Sequence, residues 1–174
     1  MLVRRFRKLL LLPTLAILLL GSGSAPKADP AVMGWIERVR IHPEDLLMEA
    51  KMDTGAKTTS VDAAEIVEFT RDGKKWVRFN VSNRKGRTVT FERPIVRIAR
   101  IRRSEMKTTS RPVVMLPLCI GNVLREVQVN LANRSHLSYP MLVGRTSMKG
   151  TVIVDPSRKF TKDPMCQGQK PGKG

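Results

Sequence analysis

The stretch KMDTGAKTTSVDA, residues 51–63, decides how the rest of the chain is read. An apolar approach, LLMEAKM (46–52), delivers a short aspartate to a Thr-Gly-Ala turn, with the hydroxyl residues Thr58, Thr59 and Ser60 just beyond it. Asp53 has two readings. As a turn residue it accepts hydrogen bonds from the backbone amides that follow, with Gly55 at positive φ. As a functional group it is a carboxylate carried by a buried strand to the edge of a core layer, where an unpaired charge is costly unless a site uses it. The tripeptide alone does not choose between them.

Outward from this turn the chain reads almost wholly as strands and turns. GWIERVRI (34–41) is a first strand, and HPED turns it into LLMEAKM. In EIVEFTRDGKKWVRFNV (65–81) apolar positions flank Asp72-Gly73, a pair suited to the positive φ angles of a tight hairpin. GRTVTFE (86–92) follows, and in PIVRIARI (94–101) Val96 and Ile98, set among Arg97 and Arg100, suggest a half-buried strand. RPVVMLPLCIGNVLREVQVNL (111–131) is a second hairpin turning at Gly121-Asn122. There Val127, Val129 and Leu131 point to one face against Gln128 and Asn130, and Pro117 marks an edge or bulge. Only RTSMKG (145–150) suits a helical turn. With 174 residues and 41% hydrophobic composition, the chain can bury one ordinary core. The expectation is a small, mainly β barrel or sandwich over residues 34–162, with a linker at 26–33 and a disordered basic tail at 163–174.

The first 25 residues combine Arg4, Arg5, Arg7 and Lys8 with an apolar run from Leu9 to Leu20 and a small-residue stretch. This is a secretory signal pattern. The run is shorter than the ~20 residues a spanning helix needs, so export with cleavage is expected, with an uncleaved inner-membrane anchor as the alternative. Either way the domain faces the periplasm or the exterior. The formal charge of +17 attracts polyanions. Aromatic residues make up only 5%, and with no helix-turn-helix or zinc-finger spacing the sequence offers nothing for specific nucleic-acid recognition. Cys119, in VVMLPLCIG, reads as a buried small hydrophobe, and Cys166 as part of the tail; a disulfide between them is the less favoured reading.

KMDTGAKTTSVDA, RDGKKWVRFNV, RPVV, YPMLVGRTSMKG and VIVDPSRKF, in this order between Gly34 and Phe160, resemble the bacterial retropepsin-like aspartic protease family often labelled ATP-dependent zinc protease. The resemblance implies a small closed acid-protease barrel with one short helical turn after the Gly-Arg motif. It also implies one catalytic aspartate per chain and an active site completed by a homodimer. By the same resemblance Asp53 is catalytic, and Thr54 braces the turn across the dimer. Gly55 and Ala56 line the cleft, and Leu142 to Arg145 form the supporting strand and turn; Thr54, Gly55, Ala56, Lys57 and Arg145 are the expected substrate-binding residues.

The chemistry asks for the second chain independently. Two carboxylates about 3 Å apart share one proton, so that one takes a proton from water while the other polarises the scissile carbonyl. Asp155, the only other aspartate after an apolar run, precedes Pro156 and cannot repeat the turn. The second carboxylate therefore comes from another copy of Asp53. Where viral retropepsins carry an acid that pairs with the Gly-Arg arginine, this chain has Lys57, so Arg145 needs another partner, either Asp62 or a substrate carboxylate. A flap is expected between Ile98 and Val114, its tip at RRSEMKTTS, with Arg102 and Arg103 over the cleft and acidic peptides as substrates. No metal or other cofactor is expected: His42 and His136 are the only histidines, no His-Glu-x-x-His occurs, and no phosphate-binding glycine loop occurs. The competing function is a non-catalytic binding module of the same fold that captures anionic ligands or envelope proteins.

Overall fold

The computed structural model describes residues 29–102 and 108–173. The expected signal (1–25) and residues 103–107 of the expected flap tip (102–110) lie outside the described residues. The hairpin of β1 (Ala31–Ile41) and β2 (Leu46–Asp53) opens the fold. β2 alternates as a strand with one face in the core should: Met48, Ala50 and Met52 are buried, while Glu49, Lys51 and Asp53 turn the other way. β3 (Thr59–Asp62) follows the Asp-Thr-Gly turn. β4 (Ala64–Arg71), β5 (Lys74–Ser82) and β6 (Thr88–Pro94) then form a separate antiparallel sheet. The β4–β5 hairpin turns at Asp72 and Gly73, with φ of 49° and 71°, as the Asp-Gly pair required. Val77, Phe79, Val81 and Phe91 fasten this sheet to the common core, Phe79 stacked on Phe91 at 5.4 Å.

The chain returns through β7 (Arg97–Arg102), β8 (Thr108–Ile120), β9 (Val123–Ala132), β10 (Met141–Gly144), the single helical turn α1 (Arg145–Met148), β11 (Val152–Lys159) and β12 (Gly172–Lys173). Pairing runs from β1 through β2, β10, β3, β9 and β8, and β8 then pairs β1 again at Val39–Ile41, closing the path on itself. The mainly β fold and the short helical turn agree with the sequence reading. Pro117 is accommodated where β8 has no strand neighbour on one side: its carbonyl accepts from His42 N–H at 2.9 Å, on the β1 side, so its missing N–H costs no ladder bond.

Three expectations are corrected. The linker does not run to residue 33, because Ala31–Gly34 already pair in parallel with Val152–Asp155. β7 is not half-buried through its apolar residues: Val96 and Ile98 are 44% and 45% exposed, and Ala99 is the buried residue. Nor is the segment after residue 162 loose. Cys166 is joined to Cys119 by a disulfide, Met165 N–H donates to Gly121 O, and Gly172 and Lys173 pair with Arg125 and Glu126 of β9. Closing a loop with a sequence separation of 47 removes about 4 kcal/mol of unfolded-chain entropy, which offsets the poor core-forming composition of this end. No described helix is long and apolar enough to cross a membrane.

Candidate active site

Asp53 is the last residue of β2, and β10 runs parallel beside it, with Gly144 paired to Asp53. β10 also pairs antiparallel with β3, so the turn between β2 and β3 is straddled by one short strand. Gly144 is required at that point: a Cβ there would meet the backbone N, C and O of Thr58 at 2.6–2.8 Å. Thr59 Oγ1 accepts from Gly144 N–H at 3.1 Å and shares a 2.7 Å hydrogen bond with Ser147. Beyond Gly144, Arg145 N–H donates to Ala56 O, while Thr146 gives both its N–H and its hydroxyl to Lys57 O.

Arg145 resolves the charge conflict posed by Lys57. Its Nη1 donates to the carbonyl oxygens of Thr54 at 2.8 Å and Gly55 at 2.9 Å. The arginine braces the turn through the backbone and needs no acidic side chain; Asp62 instead accepts the Arg134 N–H at 2.5 Å. Gly55 likewise departs from expectation. It does not take positive φ; its smallness matters because a Cβ would stand 3.1 Å from Asp53 Oδ1.

The Asp53 side chain is 25% exposed. Its Oδ1 accepts from the N–H groups of Gly55 at 2.9 Å and Ala56 at 3.2 Å, which fixes the carboxyl plane. Oδ2 accepts no hydrogen bond among the described residues and faces Lys51 Nζ at 3.6 Å. The Thr54–Gly55 tip beside it is exposed.

Two cations were missed by the sequence reading. Lys51 follows from strand alternation, since residues 51 and 53 share a face. Arg134 had no local signal. It lies in the loop after β9, buried, with Nη1 on Ser60 Oγ at 3.1 Å and Nε on Tyr139 O at 3.3 Å. Burial pulls its guanidinium below the usual arginine value; Asp62 opposes that pull, Arg111 adds to it, and Asp53 opposes it more weakly.

A groove of about 740 Å³ begins at Lys57 and Thr58 and runs beneath β7, past Arg97, Ile98 and Arg100. It adjoins the Asp53 turn without including Asp53. The side chains of Arg102 and Arg103, expected over the cleft, lie outside the described residues. His42, His136, Asp53 and Cys119 do not come together as a metal site: among the described residues no three His, Cys, Asp or Glu converge, and Cys119 is held in the disulfide.

With the straddled Asp-Thr-Gly turn in place, one comparison is decisive: residues 32–165 match the sequence model of RimB-like proteins, described as retropepsin-like aspartic endopeptidase RimB. The chain belongs to the RimB-like family. The fold of a RimB-like domain is also seen in the crystal structure of Lpg0085, a protein of unknown function from Legionella pneumophila. That protein is 34% identical at a TM-score of 0.65, over 75% of this chain and 97% of that one. Similar curated sequences are larger. A probable alpha-L-glutamate ligase of Shewanella pealeana is 32% identical over 126 residues, 71% of this chain but 26% of that protein. Its namesake from Parasynechococcus marenigrum is 34% identical over 125 residues, 70% of this chain and 27% of its own length. The RimB-like chain thus spans about a quarter of the length of these curated relatives.

Proposed function

We propose that the protein is a homodimeric aspartic endopeptidase of the cell envelope, in which two copies of Asp53 share a proton and activate a water against a peptide bond. The observation that carries this reading is the asymmetry of the Asp53 carboxyl. One oxygen is pinned by Gly55 and Ala56 N–H, and the other carries no hydrogen bond beside an exposed turn tip. In the shared site the ionised Asp53 takes a proton from water, and the protonated copy donates to the scissile carbonyl oxygen. Thr54, Gly55 and Ala56 line the cleft, and Arg145 holds the carbonyl side of their turn. The envelope location rests on the sequence of the first 25 residues, whose apolar run also supports association with the inner membrane. The relatives' name refers to joining glutamate, which supports peptides bearing glutamate as substrates.

A non-catalytic module for anionic ligands is favoured by one observation, the Lys51 ammonium 3.6 Å from Asp53 Oδ2. Cleavage of a mixed peptide library by the wild type and by Asp53→Asn separates the two. The endopeptidase cuts, the asparagine variant folds and does not, and specific activity falls on dilution because the dyad exists only in the dimer. Binding of anionic peptides without cleavage by wild type at any concentration establishes the module instead.

A further inference from the structure

We propose that Asn130 of β9 is a positioning residue for the Asp53 turn: it fixes the limb of chain that leaves the turn, and through that limb the direction of the Asp53 carboxyl. The proposal rests on the endopeptidase reading for its consequence in turnover, though not for its geometry. The two limbs of the turn are held differently. The entering limb is the end of β2, fastened along β10 as far as Asp53 and Gly144. The leaving limb, residues 54–58, belongs to no strand. Several of its carbonyls are taken by Arg145 and Thr146, both from the segment that follows β10. Asn130 reaches it from a different part of the fold: Nδ2 donates to Thr58 Oγ1 at 2.8 Å and to Thr59 O at 3.2 Å. Movement of this limb would carry the Gly55 and Ala56 N–H groups, which orient Asp53 Oδ1.

Asn130 is only 4% exposed, and a side-chain amide so placed costs free energy unless its groups are used. Strand alternation accounts for its direction and not for its identity: Val127, Val129 and Leu131 take the core face of β9, leaving Gln128 and Asn130 on the other. The amide donates to two consecutive residues after the turn, while Oδ1 accepts no hydrogen bond among the described residues. An apolar side chain would avoid that unpaired oxygen, but it could not hold Thr58 and Thr59. Thr59 passes the restraint on, since its Oγ1 accepts from Gly144 N–H and bonds Ser147. The same face of β9 also reaches β7, where Gln128 Oε1 accepts from Arg97 Nε at 2.8 Å. One strand thus holds both the limb after Asp53 and the far wall of the groove beside it.

The test pairs a rate with a signal that does not depend on turnover. Full-length Asn130→Asp, which keeps the shape and loses the donor, and Asn130→Ala are compared with Asn83→Ala. Asn83 makes the same kind of bond, from Nδ2 to Leu47 O at 3.1 Å, and none to the turn. All are measured below their melting transitions on the peptide that the wild type cleaves fastest. Both Asn130 variants should lose kcat about tenfold or more at nearly unchanged KM, because a misplaced carboxyl slows the chemical step and not the binding. Asn83→Ala should keep kcat within about twofold even where it loses as much stability. In nitrogen–proton correlation spectra the Gly55 and Ala56 amide signals should move in both Asn130 variants and stay in place in Asn83→Ala. Amide signals that hold their wild-type positions in the Asn130 variants overturn the assignment, as does a kcat no lower than that of Asn83→Ala. If the wild type cleaves nothing while the amide signals move as expected, the endopeptidase reading fails and the positioning of the turn by Asn130 stands.

Discussion

Asp53 and Asp155 are built alike and left in different states. Each follows an apolar run, each has a side chain about one-quarter exposed (25% and 26%), and each folds Oδ1 back onto the backbone N–H two residues on. Asp155 also accepts the Ser157 hydroxyl at 2.6 Å and holds Arg158 Nε at 3.0 Å on Oδ2, so both oxygens are used within its own turn. The Ser157 hydrogen bonds, from side chain and backbone, hold its carboxyl below the usual aspartate value, with Arg158 adding to them. Asp53 spends one oxygen on its turn, and the other accepts no hydrogen bond among the described residues, facing only the Lys51 ammonium at 3.6 Å. Asp155 reads as part of its turn; Asp53, half satisfied, is the carboxyl we propose for proton transfer.

The largest contrast should appear in turnover. Asp53→Asn is expected to lower cleavage by roughly a thousandfold or more with little change in melting temperature, since it keeps shape and removes the shared proton. Asp155→Asn should leave cleavage within about twofold. Comparable losses in the two variants, measured on one peptide substrate, would mean that the partnering of the two carboxylates does not distinguish them.

Next in size is the support behind Asp53. Gly144→Ala forces a Cβ into the Thr58 backbone and should cost about 3–5 kcal/mol in urea unfolding, taking activity with it. An unchanged unfolding midpoint would show that the turn can move aside. Cys166→Ser should cost about 2–4 kcal/mol and, at a temperature where the variant remains folded, leave kcat alone, because the disulfide fastens the C-terminal segment and touches nothing in the turn. A fall in kcat without loss of stability would contradict that separation.

The smallest effect belongs to Asp155 and pH. Its folded carboxyl titrates below its unfolded value, so the stability it adds is complete above the unfolded value of about 3.9 and is lost as pH falls through the lower folded one. Asp155→Asn should therefore lower the melting temperature slightly at neutral pH, with the difference from wild type shrinking below about pH 4, so that the acid limb is flatter in the variant. An identical acid limb in variant and wild type would count against the Ser157 and Arg158 contacts.

The turn signals were legible because they are local. Asp72-Gly73 set a hairpin, and the glycine before Arg145 set a stop that the closing strand confirmed. Asp53 could be singled out on the same ground. Its surroundings could not: Arg134 reaches Ser60 across a sequence separation of 74, and no window joins those two residues. Arg145 was expected to seek a carboxylate because charge is visible in a sequence, whereas the carbonyls of Thr54 and Gly55 are not. The end of the chain misled by composition. Gly, Pro and Lys read as disorder, yet one cysteine and one ladder fix it, and which cysteine lies near which is a property of the closed fold.

The central claim is that catalysis needs two copies of Asp53, and subunit mixing tests it most directly. A fixed amount of wild-type protein is incubated with increasing Asp53→Asn protein, with exchange verified by differently labelled chains, and peptide cleavage is followed. A shared dyad predicts that the asparagine chains capture wild-type partners and inactivate them, so activity falls towards zero as the excess grows. Cleavage that stays constant and proportional to wild-type protein while mixed dimers form would show that one Asp53 suffices.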